Sequence, residues 1–177
     1  PLPHAVELQV RDFAEDSTRN QQELEILLGL AEGIRVLPAE AIAGLAACCD
    51  QVMFGAGEEL LAVGEISRYV YVISAGEARG TPVGEEGSTG SITFGAHEVI
   101  GVTSLARAQA SDIRVVAVTD VAALRIPSDV VGKALHEHPV LSNQFARIWQ
   151  TRSELLRRSA QQEQEIAPDN AERQGEN

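Results

Sequence analysis

Aromatic residues, cysteines and basic residues are all scarce in this chain of 177 residues. Phe, Trp and Tyr together make up 4% of the sequence, so a folded core must be built mainly from aliphatic side chains. The 14 Lys and Arg residues are outnumbered by 26 Asp and Glu residues, which gives a net charge of −12. Because that field repels phosphate, the composition excludes a general nucleic-acid binder and a protein that rests on an anionic membrane surface.

Metal ligands, long apolar runs and catalytic motifs are also lacking. Cys48 and Cys49 are adjacent, an arrangement that rarely forms a disulfide and that makes no zinc site without further ligands. His136 and His138 lie about 200° apart around a helix, which is poor for shared metal binding. No apolar run reaches the roughly 18–20 residues of a membrane span. No nucleophile elbow or isolated acidic pair is present, so we predict neither a metal site nor an enzyme.

Short β-rich runs and glycine turns alternate between Val52 and Ile126, about every eight to twelve residues. This pattern is typical of an antiparallel sandwich or barrel. Helical spacing of apolar residues precedes it and returns from Pro139 to Leu156. We therefore predict an α+β fold, a jelly-roll-like antiparallel β-roll flanked by N-terminal and C-terminal helices. The expected core residues include Val70, Val72, Ile73, Val115, Ala117 and Leu124.

The composition divides the chain into three parts. Residues 1–15 open with two prolines and then alternate apolar and polar residues, which predicts an extended arm or linker. Residues 16–156 hold the helices and the roll, and Pro82–Gly90 within them is predicted to be a long polar hairpin loop. Residues 157–177 are rich in Gln, Glu and Asn and show no apolar face, which predicts a disordered tail.

The order of these elements resembles the cyclic nucleotide-binding domain family from about Ile26 to Leu156. Three segments carry the resemblance: LLGLAEGIRVLPAEAIAGLA, FGAGEELLAVGE and YVYVISAGEARG. It implies a regulatory domain with a small-ligand pocket. In that family, backbone N–H groups at a short helix cradle the cyclic phosphate, an Arg neutralises its charge and a Glu holds the ribose hydroxyl.

The segment FGAHEVIGVTSLARAQASDIRVVAVTD corresponds to that pocket. By resemblance, Val102 stands where the family has its Glu, and Ser111 stands where it has its Arg. Arg107 and Arg114 lie close enough in sequence to compensate. The implied pocket residues are Ile100, Gly101, Val102, Thr103, Ser104, Leu105, Ser111 and Arg114. Because both charged contacts are missing, we expect a degenerate pocket that binds cyclic AMP or cyclic GMP weakly or not at all, or that takes another small ligand.

Trp149 and Arg152 lie on the last long helix of the pattern, which is rich in arginine from residue 147 to residue 158. This helix is expected to fold against the roll with a solvated outer face. Two alternatives remain open at this stage. It is placed to close over the pocket as a lid, and it is also suited to pack against a second copy of the chain.

The first ten residues, PLPHAVELQV, resemble the end of the cytoplasmic β-domain of small mechanosensitive (MscS-like) channels. Some bacterial channels of this kind end in a cyclic nucleotide-binding domain, so the two resemblances together imply the cytosolic tail of a membrane protein. A start at Pro1 rather than Met is expected of a fragment. Two other functions remain open: the sensor half of a catabolite-activator-type transcription regulator, and a ligand-free assembly scaffold.

Overall fold

The computed structural model describes residues 19–82, 90–107 and 109–166. The predicted arm over residues 1–15, the centre of the predicted hairpin loop at residues 83–89 and the chain beyond residue 166 lie outside the described residues.

Two helices and a 3₁₀ turn form the N-terminal part of the described chain. Helix α1 covers residues 19–30, the 3₁₀ turn covers Ile34–Val36, and α2 covers Ala39–Ala46. Pro38 lies directly before α2. Proline has no backbone N–H, and the start of a helix does not use that N–H in an internal hydrogen bond. The chain leaves α1 through Gly33, which has a φ of 76°.

Eight strands in the described residues form two four-stranded sheets, and all strand pairings are antiparallel. The first sheet has the order β1-β8-β3-β6 and the second has the order β2-β7-β4-β5. The predicted antiparallel roll flanked by helices is therefore confirmed. The strands are β1 (Asp50–Phe54), β2 (Glu59–Leu61), β3 (Tyr69–Ala75), β4 (Ala78–Pro82), β5 (Ile92–Phe94), β6 (Val99–Ile100), β7 (Ile113–Ala117) and β8 (Val121–Pro127).

The first sheet separates two apolar clusters, because its central strands β3 and β8 are buried on both faces. All six predicted core residues are at most 3% exposed. They divide between the clusters, however. Val70, Val72 and Leu124 face the helices, in what we call the helical cluster, and the other three lie between the two sheets, in the roll cluster.

A short helix, α3 (Val102–Arg107), lies between β6 and β7, and two helices follow the roll, α4 (Ser128–Glu137) and α5 (Pro139–Ile166). Helix α5 continues past Leu156, so the prediction of a disordered tail from residue 157 is wrong for residues 157–166. The physical reason lies in tertiary contacts, because Ser159 accepts a hydrogen bond from the backbone N–H of Ser91 at 3.1 Å. A polar helical segment is stabilised by such docking even when its sequence has no apolar face.

Cys48 and Cys49 are both free thiols in the short link between α2 and β1. Burial raises the pKa of the Cys49 thiol to about 11, and the neighbouring Asp50 and Cys48 add to the shift. Within the described residues, no helix is long and apolar enough to cross a bilayer, and no group of three or more His, Cys, Asp or Glu side chains is arranged to hold a metal ion.

Candidate functional site

A cavity of about 80 Å³ lies at one end of the roll, and parts of both sheets and two helices line it. The short helix α3 and the loop that follows it form one wall, and α5 forms another. The lining residues of the roll and its loops are Leu61, Ile92, Phe94, Ile100, Gly101, Thr103, Ser104, Gln109, Ala110, Ser111, Asp112 and Ile113. Those of α5 are Trp149, Arg152, Ser153 and Leu156. Seven of the ten sequence-predicted residues thus share one cavity.

Gly101 makes the sharp turn that carries the chain from β6 into α3. Its φ is 93°, and a Cβ at this position would lie 2.9 Å from the carbonyl oxygen of Tyr69. Only glycine meets both conditions without strain. The turn places Thr103 and Ser104 on the wall of the cavity.

Both buried serine hydroxyls in the cavity wall already have backbone partners. Ser104 Oγ donates to the carbonyl oxygen of Gly101 at 3.1 Å, and Ser111 Oγ donates to the carbonyl oxygen of Ile113 at 2.8 Å. The loop is fixed further because the N–H of Ser111 donates to the carbonyl oxygen of Glu65 at 3.0 Å. Ser111 is therefore a structural residue of this loop, with its one hydroxyl proton used internally.

Val102, Leu105 and Arg114 do not line the cavity. Val102 is 1% exposed and belongs to the helical cluster. Leu105 packs against that cluster and lines a separate groove among α3, α4 and α5. Arg114 points outward because side chains alternate along β7, and it pairs with Glu59 while 54% of its side chain stays exposed. The side chain of Arg107 is outside the described residues.

Arg152 is the only basic side chain among the described residues that line the cavity. Its Nη1 donates to the carbonyl oxygen of Val99 at 2.6 Å, and its Nη2 donates to the carboxylate of Glu32 at 2.7 Å. The carboxylate of Glu98 lies 3.6 Å from Nη2, and the guanidinium stacks on the ring of Phe94 with 4.7 Å to the ring centroid. The side chain is only 13% exposed, so this cation is enclosed by partners.

The electrostatics of this cluster follow from its burial. Desolvation lowers the pKa of Arg152 below its ordinary value, while the carboxylates of Glu32 and Glu98 oppose that shift. An arginine stays protonated over the whole physiological range even so. One positive and two negative charges therefore meet at the cavity wall, and the local balance does not favour a further anion.

Residues 51–138 match the family model described as the cyclic nucleotide-binding domain. This part of the chain is a domain of that family. The part of the sequence resemblance that concerns the domain is thereby confirmed.

Solved structures with the same fold include regulatory parts of protein kinase A and a catabolite activator protein. The regulatory domain of Toxoplasma gondii PKA with cAMP is 15% identical, with a TM-score of 0.66 over 79% of this chain and 52% of that chain. A regulatory subunit of a cAMP-independent protein kinase A from Trypanosoma cruzi, bound to guanosine, is 18% identical, with a TM-score of 0.64 over 77% and 51%. The Thermus thermophilus catabolite activator protein is 17% identical, with a TM-score of 0.58 over 70% and 59%. This chain thus spans about half of each, and the likeness concerns the fold alone. No curated protein matches the sequence.

The second half of α5 lies directly against the cyclic nucleotide-binding domain. Leu156 packs on the roll cluster and lines the cavity. The backbone of α5 runs so close to Gly90 that a Cβ there would lie 2.5 Å from the carbonyl oxygen of Leu156. Trp149 and Arg152 line the cavity from this helix, and their role as a lid stays a prediction.

Sequence reasoning missed Glu32, Glu98 and Phe94, the partners of Arg152. A signal for Glu98 is present in a repeated motif. Gly55-Ala-Gly-Glu58 and Gly95-Ala-His-Glu98 both form turns in which the glutamate accepts the N–H of the first glycine at 2.6 Å. The third residue has a positive φ in both turns, 90° at Gly57 and 70° at His97. The repeat predicts a fixed position for the Glu98 carboxylate, although nothing in it predicts the approach of α5.

Proposed function

We propose that this chain is a regulatory, non-catalytic domain of the cyclic nucleotide-binding family whose pocket takes cyclic AMP or cyclic GMP weakly or not at all. One observation carries the proposal. Arg152 is the sole basic residue among the described lining residues, and two carboxylates already surround it. The phosphate of a cyclic nucleotide would have to compete with both.

Two further observations support weak binding. Ser111 and Val102 stand where the family resemblance implies a phosphate-binding Arg and a ribose-binding Glu. Each unmade buried polar contact costs about 1–3 kcal/mol, so losing both weakens affinity by roughly a hundredfold to ten-thousandfold. The free volume of about 80 Å³ is also well below the roughly 300–1,000 Å³ of small-molecule sites.

Calorimetric titration of the chain with cyclic AMP, cyclic GMP and guanosine tests this function. We expect cyclic nucleotides to bind no tighter than the high micromolar range. Guanosine is included as an uncharged ligand, because the Trypanosoma cruzi protein of the same fold is described with guanosine bound. Sub-micromolar binding of cyclic AMP would contradict the proposal.

A matched pair of variants tests, in the same titration, whether the lack of a positive charge at residue 111 limits binding. Ser111→Arg supplies the missing cation, whereas Ser111→Gln supplies a long neutral side chain at the same loop position. Because a hydrogen bond to a charged group contributes about 1.5–3 kcal/mol, Ser111→Arg should bind cyclic AMP at least about tenfold more tightly than Ser111→Gln. Equal affinities would show that charge at this position does not limit binding.

We also propose that this domain is the cytosolic tail of a small mechanosensitive-type channel. The support is the resemblance of PLPHAVELQV to the end of the β-domain of such channels, together with the position of α1, which is already helical at residue 19. A domain tethered this closely moves with the cytoplasmic body of the channel. A ligand then shifts gating only by its differential affinity for the open and closed states.

Deleting residues 16–177 from the full-length parent tests the channel assignment. Because the pocket binds cyclic nucleotide weakly in this proposal, gating should respond to tension far more than to nucleotide. We expect tension-activated conductance to persist in patch recordings while its threshold or its inactivation changes. A full-length parent that shows no conductance, or that has no membrane spans before Pro1, would contradict the assignment and favour the catabolite-activator-type sensor or the ligand-free scaffold.

A further inference from the structure

Helix α1 carries apolar side chains on two opposite faces. Its inner face buries Leu24 and Leu28, which are at most 4% exposed and belong to the helical cluster. On its outer face, Ile26 is 64% exposed and Leu30 is 52% exposed. A surface helix normally has one apolar face and one polar face, and a helix that is apolar all round is normally covered on both sides. The outer face of α1 therefore has the composition of a contact surface.

Gly29 lies on the same outer face, because residues three and four positions apart are neighbours on a helix. A Cβ added at Gly29 would meet nothing within 4 Å, so packing within the chain does not require glycine there. Glycine inside a helix is less stable than alanine. It does, however, leave room for a second helix to pack closely, since the distance between two helix axes depends on the side chains at the contact. We call Ile26, Gly29 and Leu30 the α1 stripe.

Charged side chains of opposite sign stand at the two ends of the α1 stripe. Glu23 precedes it on α1, and Arg35 follows it in the 3₁₀ turn after the helix. Both residues are exposed, and neither has an ion-pair partner within the described part of the chain. When two such segments lie antiparallel, the acidic end of each meets the basic end of the other.

The spacing of these residues is compatible with a two-fold axis beside residue 28. Ile26 of one copy then lies opposite Leu30 of the second copy, and the reverse contact is made by symmetry. At a rise of about 1.5 Å per residue, Glu23 comes within about 3 Å, measured along the helix, of the level of Arg35 of the second copy. The long side chain of arginine spans such an offset. Each apolar residue therefore meets an apolar residue, and each acid meets a base.

We propose that the α1 stripe is a contact surface for a second copy of this chain, bound antiparallel about a two-fold axis. A surface that is complementary to itself is what such an isologous contact requires. One helix offers far fewer residues than the roughly 20–30 per side of a standard interface, so the dimer is weak and reversible. No residue of the α1 stripe lines the cavity, and the contact does not depend on any ligand there.

Sedimentation equilibrium of the whole chain, between about 10 μM and 1 mM, tests this dimer. In about 0.15 M salt, charges more than about 8 Å apart are largely screened, so the net charge of −12 does not prevent association. We expect reversible association toward twice the 18.9 kDa of one chain. Ile26→Glu should weaken it by at least about tenfold, because the two-fold axis places the change in the contact twice. Ile66→Glu is the matched control, since Ile66 is 55% exposed between β2 and β3 and should leave association unchanged.

Charge reversal tests the antiparallel orientation. Glu23→Arg and Arg35→Glu should each weaken self-association, because each variant places like charges opposite one another twice. A mixture of the two variants restores both opposite-charge pairs, so it should associate about fivefold more tightly than either variant alone. The average mass of the mixture, compared with that of each variant at the same total concentration, measures this difference.

Gly29→Gln tests the close approach of the two helices. Because glutamine is a better helix former than glycine, the variant should unfold at a higher urea concentration while its dimer becomes weaker. A chain that stays monomeric at about 1 mM would overturn the proposal and leave the α1 stripe to a different protein. A dimer that Ile26→Glu and Ile66→Glu weaken equally would also overturn it, as would a mixture of the charge variants that associates no better than its parts.

Discussion

Replacing Val102 with glutamate is expected to destabilise the domain by about 3–5 kcal/mol at pH 7, and not to rebuild a ribose contact. Val102 is 1% exposed and packs among the apolar side chains of the helical cluster. A carboxylate placed there loses its water without gaining a partner. The family resemblance alone leads to the opposite expectation, a gain of binding.

Urea unfolding against pH measures this effect. Burial raises the pKa of a carboxyl, so the folded Val102→Glu variant should hold its proton more tightly than the unfolded chain does. Its deficit should therefore be largest above neutral pH and should shrink as the pH falls toward about 5. Val102→Ala, the control, should cost about 1–3 kcal/mol with no such pH dependence. A Val102→Glu variant as stable as the unmodified chain at pH 7 would show that the side chain reaches water or the cavity.

Replacing Gly76 with alanine is expected to cost about 2–5 kcal/mol of unfolding free energy, a large share of the roughly 5–15 kcal/mol of a typical domain. Gly76 has a φ of 92°, which disfavours any side chain by about 1–2 kcal/mol. A Cβ there would also overlap the carbonyl oxygen of Asp120 and lie 2.9 Å from the Cα of Val121. Both neighbours are backbone beside the central strand β8, and overpacking of this kind adds about 1–3 kcal/mol.

Substitutions at two other glycines distinguish the backbone cost from the steric cost. Urea unfolding measures the stability of each variant. Gly57 has a φ of 90° with nothing within 4 Å of an added methyl group, so Gly57→Ala should cost only the backbone part, about 1–2 kcal/mol. Gly44 lies within α2 in open space without a positive φ, so Gly44→Ala should stabilise the helix by about 0.5–1 kcal/mol. Equal losses for Gly76→Ala and Gly57→Ala would contradict the steric argument.

The roll was predictable because its signals are local. Glycine turns and β-branched runs predict the strands, and Pro38 predicts the start of α2. Alternation along β3 places Val70 and Ile73 on opposite faces, but it does not predict which face meets the helices. Sequence alternation alone does not decide this when a strand is buried on both faces.

Several wall residues of the candidate site, among them Trp149 and Arg152 on α5, were predicted from the sequence, but the contacts between distant segments were not. Gly101, Thr103 and Ser111 lie close together in sequence and in space. The partners of Arg152 come from distant segments, since Glu32 is separated from it by 120 residues. Such a contact depends on the path of α5 across the roll, which local spacing does not encode. The outward direction of Arg114, by contrast, follows from simple alternation along β7.

Because one sheet separates the helical cluster from the roll cluster, fold and ligand recognition are exposed to different evolutionary pressures. Substitutions in the helical cluster unfold the chain and are removed by selection on stability. Thr103 in the pocket wall is not an apolar core residue, so a change there leaves both clusters intact, whereas Ser111 also fixes its loop. A lineage that no longer needs its small-molecule signal is therefore free to lose the pocket by neutral drift while keeping the fold. The presence of this architecture in a genome is evidence of shared ancestry and says little about the signal that a given member now receives.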